Sequence, residues 1–250
     1  MRKGGLFVVV VVCAASALAY GCSENEDTNA TSSRPDAAPL DGPAGGEDAP
    51  TSGDSGGEAA AKKRAFATTT VWEGDLVRAA KVELDASVDG GREAADALCN
   101  AGAKRAGLGG TWVAWLSSSS PGRSDALQWM PDAGGPWYLV DGTTRVFANA
   151  AALVQAPEHA IDKNERGESL VELDGGATPA ALDAGFGTLE VWTGTDGDGT
   201  ANGNGMCGGI WASNSFANEG LVGSMAKASD WTSSALRGCG QAHRLYCFER

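Results

Sequence analysis

Gly238-Cys239-Gly240-Gln241-Ala242-His243-Arg244-Leu245-Tyr246-Cys247-Phe248-Glu249-Arg250 is the stretch on which the fold turns. Side chains alternate along an extended chain, so Leu245, Cys247 and Glu249 share one face while Arg244, Tyr246 and Phe248 share the other. Bulky residues on both faces predict a central strand covered on both sides. The cysteine within it ties this end of the chain into the core through a disulfide to a residue far back in sequence.

Working outward, the 250 residues divide sharply. All eight tryptophans lie between Trp72 and Trp231. The segment from Ser23 to Ala61 is instead Ser, Thr, Gly, Pro, Asp, Glu and Ala with almost no large apolar side chain, a composition that stays unfolded. One folded domain is therefore expected over 65–250. A formal net charge of -13 argues against nucleic acid, whose phosphates require a basic surface, and against adsorption to anionic lipid.

Residues 1–21 have the layout of an export signal. Arg2 and Lys3 precede the apolar run Leu6 to Val12, which is too short for a membrane-spanning helix. Two cleavage readings compete. Ala17-Leu18-Ala19 fits cleavage before Tyr20, as in a simply secreted protein. Leu18-Ala19-Tyr20-Gly21-Cys22 resembles a bacterial lipobox in which Cys22 is acylated, although Tyr20 is bulky and the leucine sits one place early. Cysteine parity favours the second, because removing the signal with Cys13 leaves five cysteines, and acylating Cys22 removes the odd thiol. Several acyl chains anchor durably where one is marginal. By resemblance to other bacterial lipoproteins, Ser23 then directs the protein to the outer membrane.

Residues 22–64 read as an acidic tether closed by Lys62-Lys63-Arg64. From Ser23 to Ala61 nine carboxylates, Glu24 to Glu58, face only Arg34, and like charges keep such a spacer extended. It contains Gly53-Asp54-Ser55-Gly56-Gly57, the letters that surround the nucleophile of trypsin-like proteases. A serine nucleophile needs a histidine in reach and a rigid oxyanion hole, which an unfolded spacer does not supply, so this match is a by-product of low complexity.

Within the domain, Ala65 to Trp72 reads as a first strand and Glu73-Gly74-Asp75 as a turn. Lys81 to Val88 reads as a further strand or part of an insertion. Asp89 to Ala106 has helical spacing, with Asp89 as N-cap, Gly107 beyond the C-terminus and Cys99 on the buried face. Thr111 to Leu116 reads as a strand buried on both sides. Trp137 to Val140 and Arg145 to Phe147 form a hairpin about Asp141-Gly142-Thr143. Leu189 to Thr193 and Gly209 to Ala212 read as strands, with loops at Ser117 to Arg123, Thr195 to Cys207 and Gly220 to Trp231.

The first strand, the cysteine-bearing helix, Gly107-Leu108-Gly109-Gly110-Thr111-Trp112-Val113-Ala114-Trp115-Leu116-Ser117, Leu139-Val140-Asp141-Gly142-Thr143, Val191-Trp192-Thr193-Gly194-Thr195, Cys207 and Leu245-Tyr246-Cys247-Phe248-Glu249 together resemble an uncharacterised family of bacterial surface and lipoprotein domains. That family is similar to the endostatin (collagen NC10-type) branch of the C-type lectin-like fold. The resemblance runs from about Phe66 to the end. It implies an α+β fold: a mixed, mostly antiparallel sheet with at least one packed helix, long loops and nested disulfides.

Four domain cysteines allow three pairings. Cys239 with Cys247 is disfavoured if the last strand is extended, because Ala242 to Cys247 alone spans roughly 16 Å while bridged Cα atoms sit about 4.4 to 6.8 Å apart. The resemblance favours the nested pairing, Cys99 with Cys247 and Cys207 with Cys239. Zinc is the competing use, but the sequence has no Cys-x-x-Cys pair.

Asp196, Asp198, Asn202 and Asn204 alternate in a Gly-rich loop and are the candidate ligands for calcium. Ala201 and Cys207 break the EF-hand pattern, the calcium motifs of sugar-binding lectins are missing, and turn chemistry accounts for the same residues. His159 and His243 lack metal spacing. Trp129, Trp137, Trp211 and Trp231 offer faces for sugar stacking or fill the core. These features predict a non-catalytic surface module that contacts glycan or protein through the loops Ser117 to Gly135 and Thr195 to Cys207. The contrasting class is an envelope enzyme, since the lectin-like fold also hosts an oxidase that modifies sulfatase cysteines and needs reactive cysteines of its own.

Overall fold

The computed structural model describes residues 62–119, 124–130, 134–173 and 189–250, all within one unit of the chain. The signal, Cys22, most of the tether and the Gly53 to Gly57 motif lie outside the described residues. The elements are β1 (Lys63–Ala67), α1 (Leu76–Leu84), α2 (Gly91–Arg105), β2 (Trp112–Ala114), β3 (Trp137–Leu139), β4 (Arg145–Phe147), the short α3 (Leu170–Leu173), β5 (Glu190–Trp192), β6 (Glu219–Ser224), β7 (Ala235–Gly238) and β8 (Arg244–Glu249). The fold is α+β. Its eight strands form one mixed sheet in the order β4-β3-β1-β8-β5-β6-β7, with β2 also on β8.

β8 is the strand read from the closing sequence, and it sits at the centre. β1 runs antiparallel along one edge, pairing Phe66 with Cys247. The other edge is shared: β5 runs parallel beside Arg244 and Leu245, and β2 antiparallel beside Cys247 to Glu249. The alternation along β8 sorts its side chains into two cores. Leu245 and Cys247 pack with Leu98 and Cys99 of α2 and Leu76 of α1, whereas Tyr246 and Phe248 pack with Trp115, Trp137, Phe147 and Trp231. Fully burying one such side chain contributes about 1.5–3 kcal/mol, so a strand lined on both faces anchors both layers.

Both nested disulfides are present, Cys99–Cys247 and Cys207–Cys239, each with Cα atoms 5.6 Å apart. The first fastens α2 to β8. The hairpin of β3 and β4 also forms, and Asp141 Oδ1 accepts the Thr143 and Thr144 N–H groups across its turn.

Four expectations are corrected. Lys81 to Val88 is not a strand, because its first half belongs to α1. Asp75 caps that helix by accepting the Arg78 N–H at 2.9 Å, Leu76 and Ala80 bury one turn apart, and Asp85 ends it in the left-handed region at φ 52°. The misleading signal is Val82, which alternates with Leu84 yet is 76% exposed. The N-cap of α2 is Gly90 rather than Asp89, and no side chain caps it. Gly107 follows that helix at φ +74°, where glycine is favoured. Gly209 to Ala212 is not a strand: Gly209 to Trp211 belong to an irregular turn, Cys207–Trp211, in which Gly208 and Gly209 both take positive φ, and Ala212 makes an isolated bridge to Asp75. Finally, the loop read from Gly220 to Trp231 begins as strand β6. Its glycines answer to space: a Cβ at Gly220 would strike the Trp192 ring and one at Gly223 the Trp231 carbonyl. β7, which pairs with β6, carries no pattern that the sequence reading detected.

Candidate functional site

The two loops expected to bear function are brought together. β2 leads into Ser117, a fully buried residue whose hydroxyl lies 2.9 Å from the Thr195 hydroxyl and accepts the Ala126 N–H at 2.9 Å. Ser118 and Ser124 exchange backbone hydrogen bonds and close the base of the first loop. One residue further, Asp125 Oδ1 accepts the Ala201 N–H of the second loop at 2.7 Å. The Trp211 indole N–H donates to the Ser117 carbonyl beneath them at 2.7 Å. Distant segments thus meet on a rigid base, with residues 120–123 and 131–133 outside the described part of the first loop.

The tryptophans divide clearly. Trp72, Trp112, Trp115, Trp137, Trp192, Trp211 and Trp231 are buried, between 0% and 5% exposed, and fill the two cores. Trp129 alone is part-exposed, on a one-turn 3-10 helix, Ala126–Trp129, in the first loop. The Arg92 guanidinium lies over its ring at 3.8 Å from the centroid, a cation–π contact. Arg92 is held from below: Nη1 donates to Asp96 Oδ2 at 2.7 Å and Nη2 to Glu93 Oε1 at 3.1 Å.

Asp96 also fastens β2 to α2. Its Oδ1 accepts the Ala114 N–H at 2.8 Å, and one helical turn on, Asn100 accepts the Trp112 N–H and donates to the Trp112 carbonyl. Burial pushes the Asp96 carboxyl up to about 6, against the Ala114 N–H and Arg92, which favour the charged form. Arg92 and Asp96 were missed in the sequence, where their only signal is opposite charge at i,i+4 on a helix.

The calcium candidates form a locally bonded loop. Asp196 Oδ1 accepts from the Asn202 amide at 2.8 Å, Asp198 Oδ1 accepts the Thr200 N–H and hydroxyl, and Asn202 Oδ1 accepts the Asn204 N–H. These are the turn-closing bonds of Asx residues. Among the described residues, no group of three or more His, Cys, Asp or Glu is placed to hold a metal.

Neither histidine joins this surface. His159 is exposed with Nδ1 2.8 Å from the Arg145 carbonyl, and His243 is fully buried against the Trp192 ring and 3.7 Å from Glu190. The described cysteines are all in disulfides. A separate cleft of about 230 Å³ lies beside α1, between Trp72, Arg78, Val82 and Ala242. No helix of the described residues is long and apolar enough to cross a membrane.

Fold and site together define an α+β domain whose mixed sheet is clasped by two disulfides and whose two paired loops present one part-exposed indole. No protein-family model matches the chain, and no curated protein is significantly similar to it. The two disulfides are consistent with an extracellular protein.

Proposed function

We propose that this chain is an exported outer-membrane lipoprotein, anchored through Cys22, whose C-type-lectin-like, endostatin-like domain binds a glycan or protein ligand at the cell surface without catalysis. The observation that carries the reading is Trp129: one tryptophan left part-exposed among seven buried ones, on loops that the frame holds in register. An indole in that position offers an apolar face to the C–H surface of a sugar ring or to a partner's side chain. Asp198 and Asn204, both exposed on the neighbouring loop, supply polar groups at the rim. Such a mixture of a central aromatic and a polar margin is the composition of binding surfaces.

The test is an array of glycans and matrix proteins probed with the mature protein and with Trp129→Ala. The native protein is expected to bind at least one class, and the variant, checked by circular dichroism to be folded at the assay temperature, to bind it at least tenfold more weakly. Silence across all classes overturns the reading. The anchor is tested separately by mass spectrometry of the mature N-terminus, which should show an acylated Cys22. A free amine at Tyr20 would replace the anchored lipoprotein by a secreted protein.

A further inference from the structure

Trp129 takes a contact from outside its own loop. Its indole Nε1 is buried and has no hydrogen-bond partner among the described residues, and the Arg92 guanidinium from α2 lies over its ring. Among the described residues, Arg92 Nε is likewise buried and unpartnered, and the guanidinium donates to two carboxylates. The two are unlike. Glu93 is 43% exposed, and Asp96 only 20%. An exposed carboxylate contributes little to such a pair, so the position of Arg92 depends chiefly on Asp96.

We propose that Asp96 and Arg92 form a proton-controlled relay that sets the position of Trp129, so that ligand capture by the paired loops depends on the acidity outside the cell; this rests on the reading of that surface as the binding face. With Asp96 ionised, Oδ1 accepts from Ala114, Oδ2 accepts from Arg92, and the guanidinium lies flat on the indole. A proton from solvent added to Oδ2 removes the negative charge that holds the guanidinium, and the new O–H competes for the space in front of Arg92. The Ala114 bond survives on Oδ1, whereas the charge-assisted Arg92 bond is reduced to a weak neutral contact. Arg92 then has Glu93 as its remaining carboxylate, on the solvent side, and the ring loses its cation. The charged groups acting on Asp96 are Arg92 and Glu93. β2 presents only the Ala114 N–H to it. Among the described residues, none of the charges acting on it comes from α1, β8 or the Cys207–Trp211 turn. Burial places the titration near pH 6, inside the range a cell surface meets. A pre-positioned indole binds better than a mobile one, so capture weakens on acidification.

The experiment follows the indole N–H resonances of the full mature chain, labelled with nitrogen-15, between pH 7.5 and 4.5, with Trp129→Phe identifying the Trp129 signal. That signal is expected to shift with a midpoint near 6. In Asp96→Asn it should stay at its acid position throughout, and in Arg92→Gln it should not titrate. A Trp129 signal that is flat in the native chain, or that titrates with the same midpoint in either variant, overturns the relay. Arg92→Gln leaves the Asp96 bond to β2 in place, so it serves as the test if Asp96→Asn does not fold. On the array, ligand binding should be about tenfold weaker at pH 5 than at pH 7. A silent array beside a titrating Trp129 overturns the binding reading and with it the capture step, while the relay stands on its resonance. Binding that is equal at both pH values beside a flat Trp129 overturns the relay alone.

Discussion

A chain carrying Cys99→Ala and Cys247→Ala is expected to lose on the order of 5 kcal/mol of unfolding free energy, and Cys207→Ala with Cys239→Ala about 4. The ranking follows from what each bond restrains in the unfolded chain. Cys99 and Cys247 are 148 residues apart, Cys207 and Cys239 only 32, and closing the longer loop removes more conformational freedom before folding begins. The outer bond also joins α2 to the central strand; all four cysteines are fully buried in the first core, so in both variants the alanines leave space and the difference rests on loop closure. Urea unfolding followed by tryptophan fluorescence measures both losses. A larger loss for the inner pair would show that native packing around Cys207 and Cys239, rather than loop closure, sets the contribution of these bonds.

Asp96 is expected to make the fold less stable as pH rises. Its carboxyl titrates near 6 in the folded protein and near 3.8 when unperturbed, because burial disfavours the charge. Between those values the folded chain holds a proton that the unfolded chain has released. Its contribution is therefore greatest below pH 4, falls through pH 6 and is level above. At about 1.4 kcal/mol per pH unit the total is about 3 kcal/mol. Carboxylates stabilised by hydrogen bonds move the other way, so the quantity to measure is the difference between the native protein and Asp96→Asn. Unfolding free energies at pH 4, 5, 6 and 7 should show the native protein losing about 2 kcal/mol relative to the variant across that span. A constant difference would mean that Arg92 and the Ala114 N–H hold the carboxyl in its usual range.

Much of the fold was legible because its strongest signals are local. The closing strand, the hairpin about Asp141 and Gly142, the helix with buried Cys99 and the C′ role of Gly107 are each set by periodicity or by one turn residue. The misses share a cause. Gly220 and Gly223 look like loop residues, yet they lie in β6, paired with β5 and β7, and are glycine because Trp192 and the Trp231 carbonyl leave no room for a side chain. Val82 and Leu84 alternate like a strand, yet the buried spacing that wins is Leu76 to Ala80. In the first case partners distant in sequence outweigh local propensity, and in the second the helical spacing that buries an apolar pair outweighs a short alternation. Of the candidate site, the two loops and Trp129 were visible. Arg92 and Asp96 were not, because opposite charges at i,i+4 on a helix occur as readily on a solvated face.

The order of residues along Arg244 to Glu249 fixed by itself which side chains face which core, since the pleat alternates whatever surrounds it. Which tryptophan would remain at the surface was not set in that way. All eight are alike in chemistry, and only the closure of Ser117 on Thr195 and Asp125 on Ala201 carries Trp129 outward and over Arg92. Exposure and charge pairing belong to the assembled molecule, because they depend on what other segments leave uncovered.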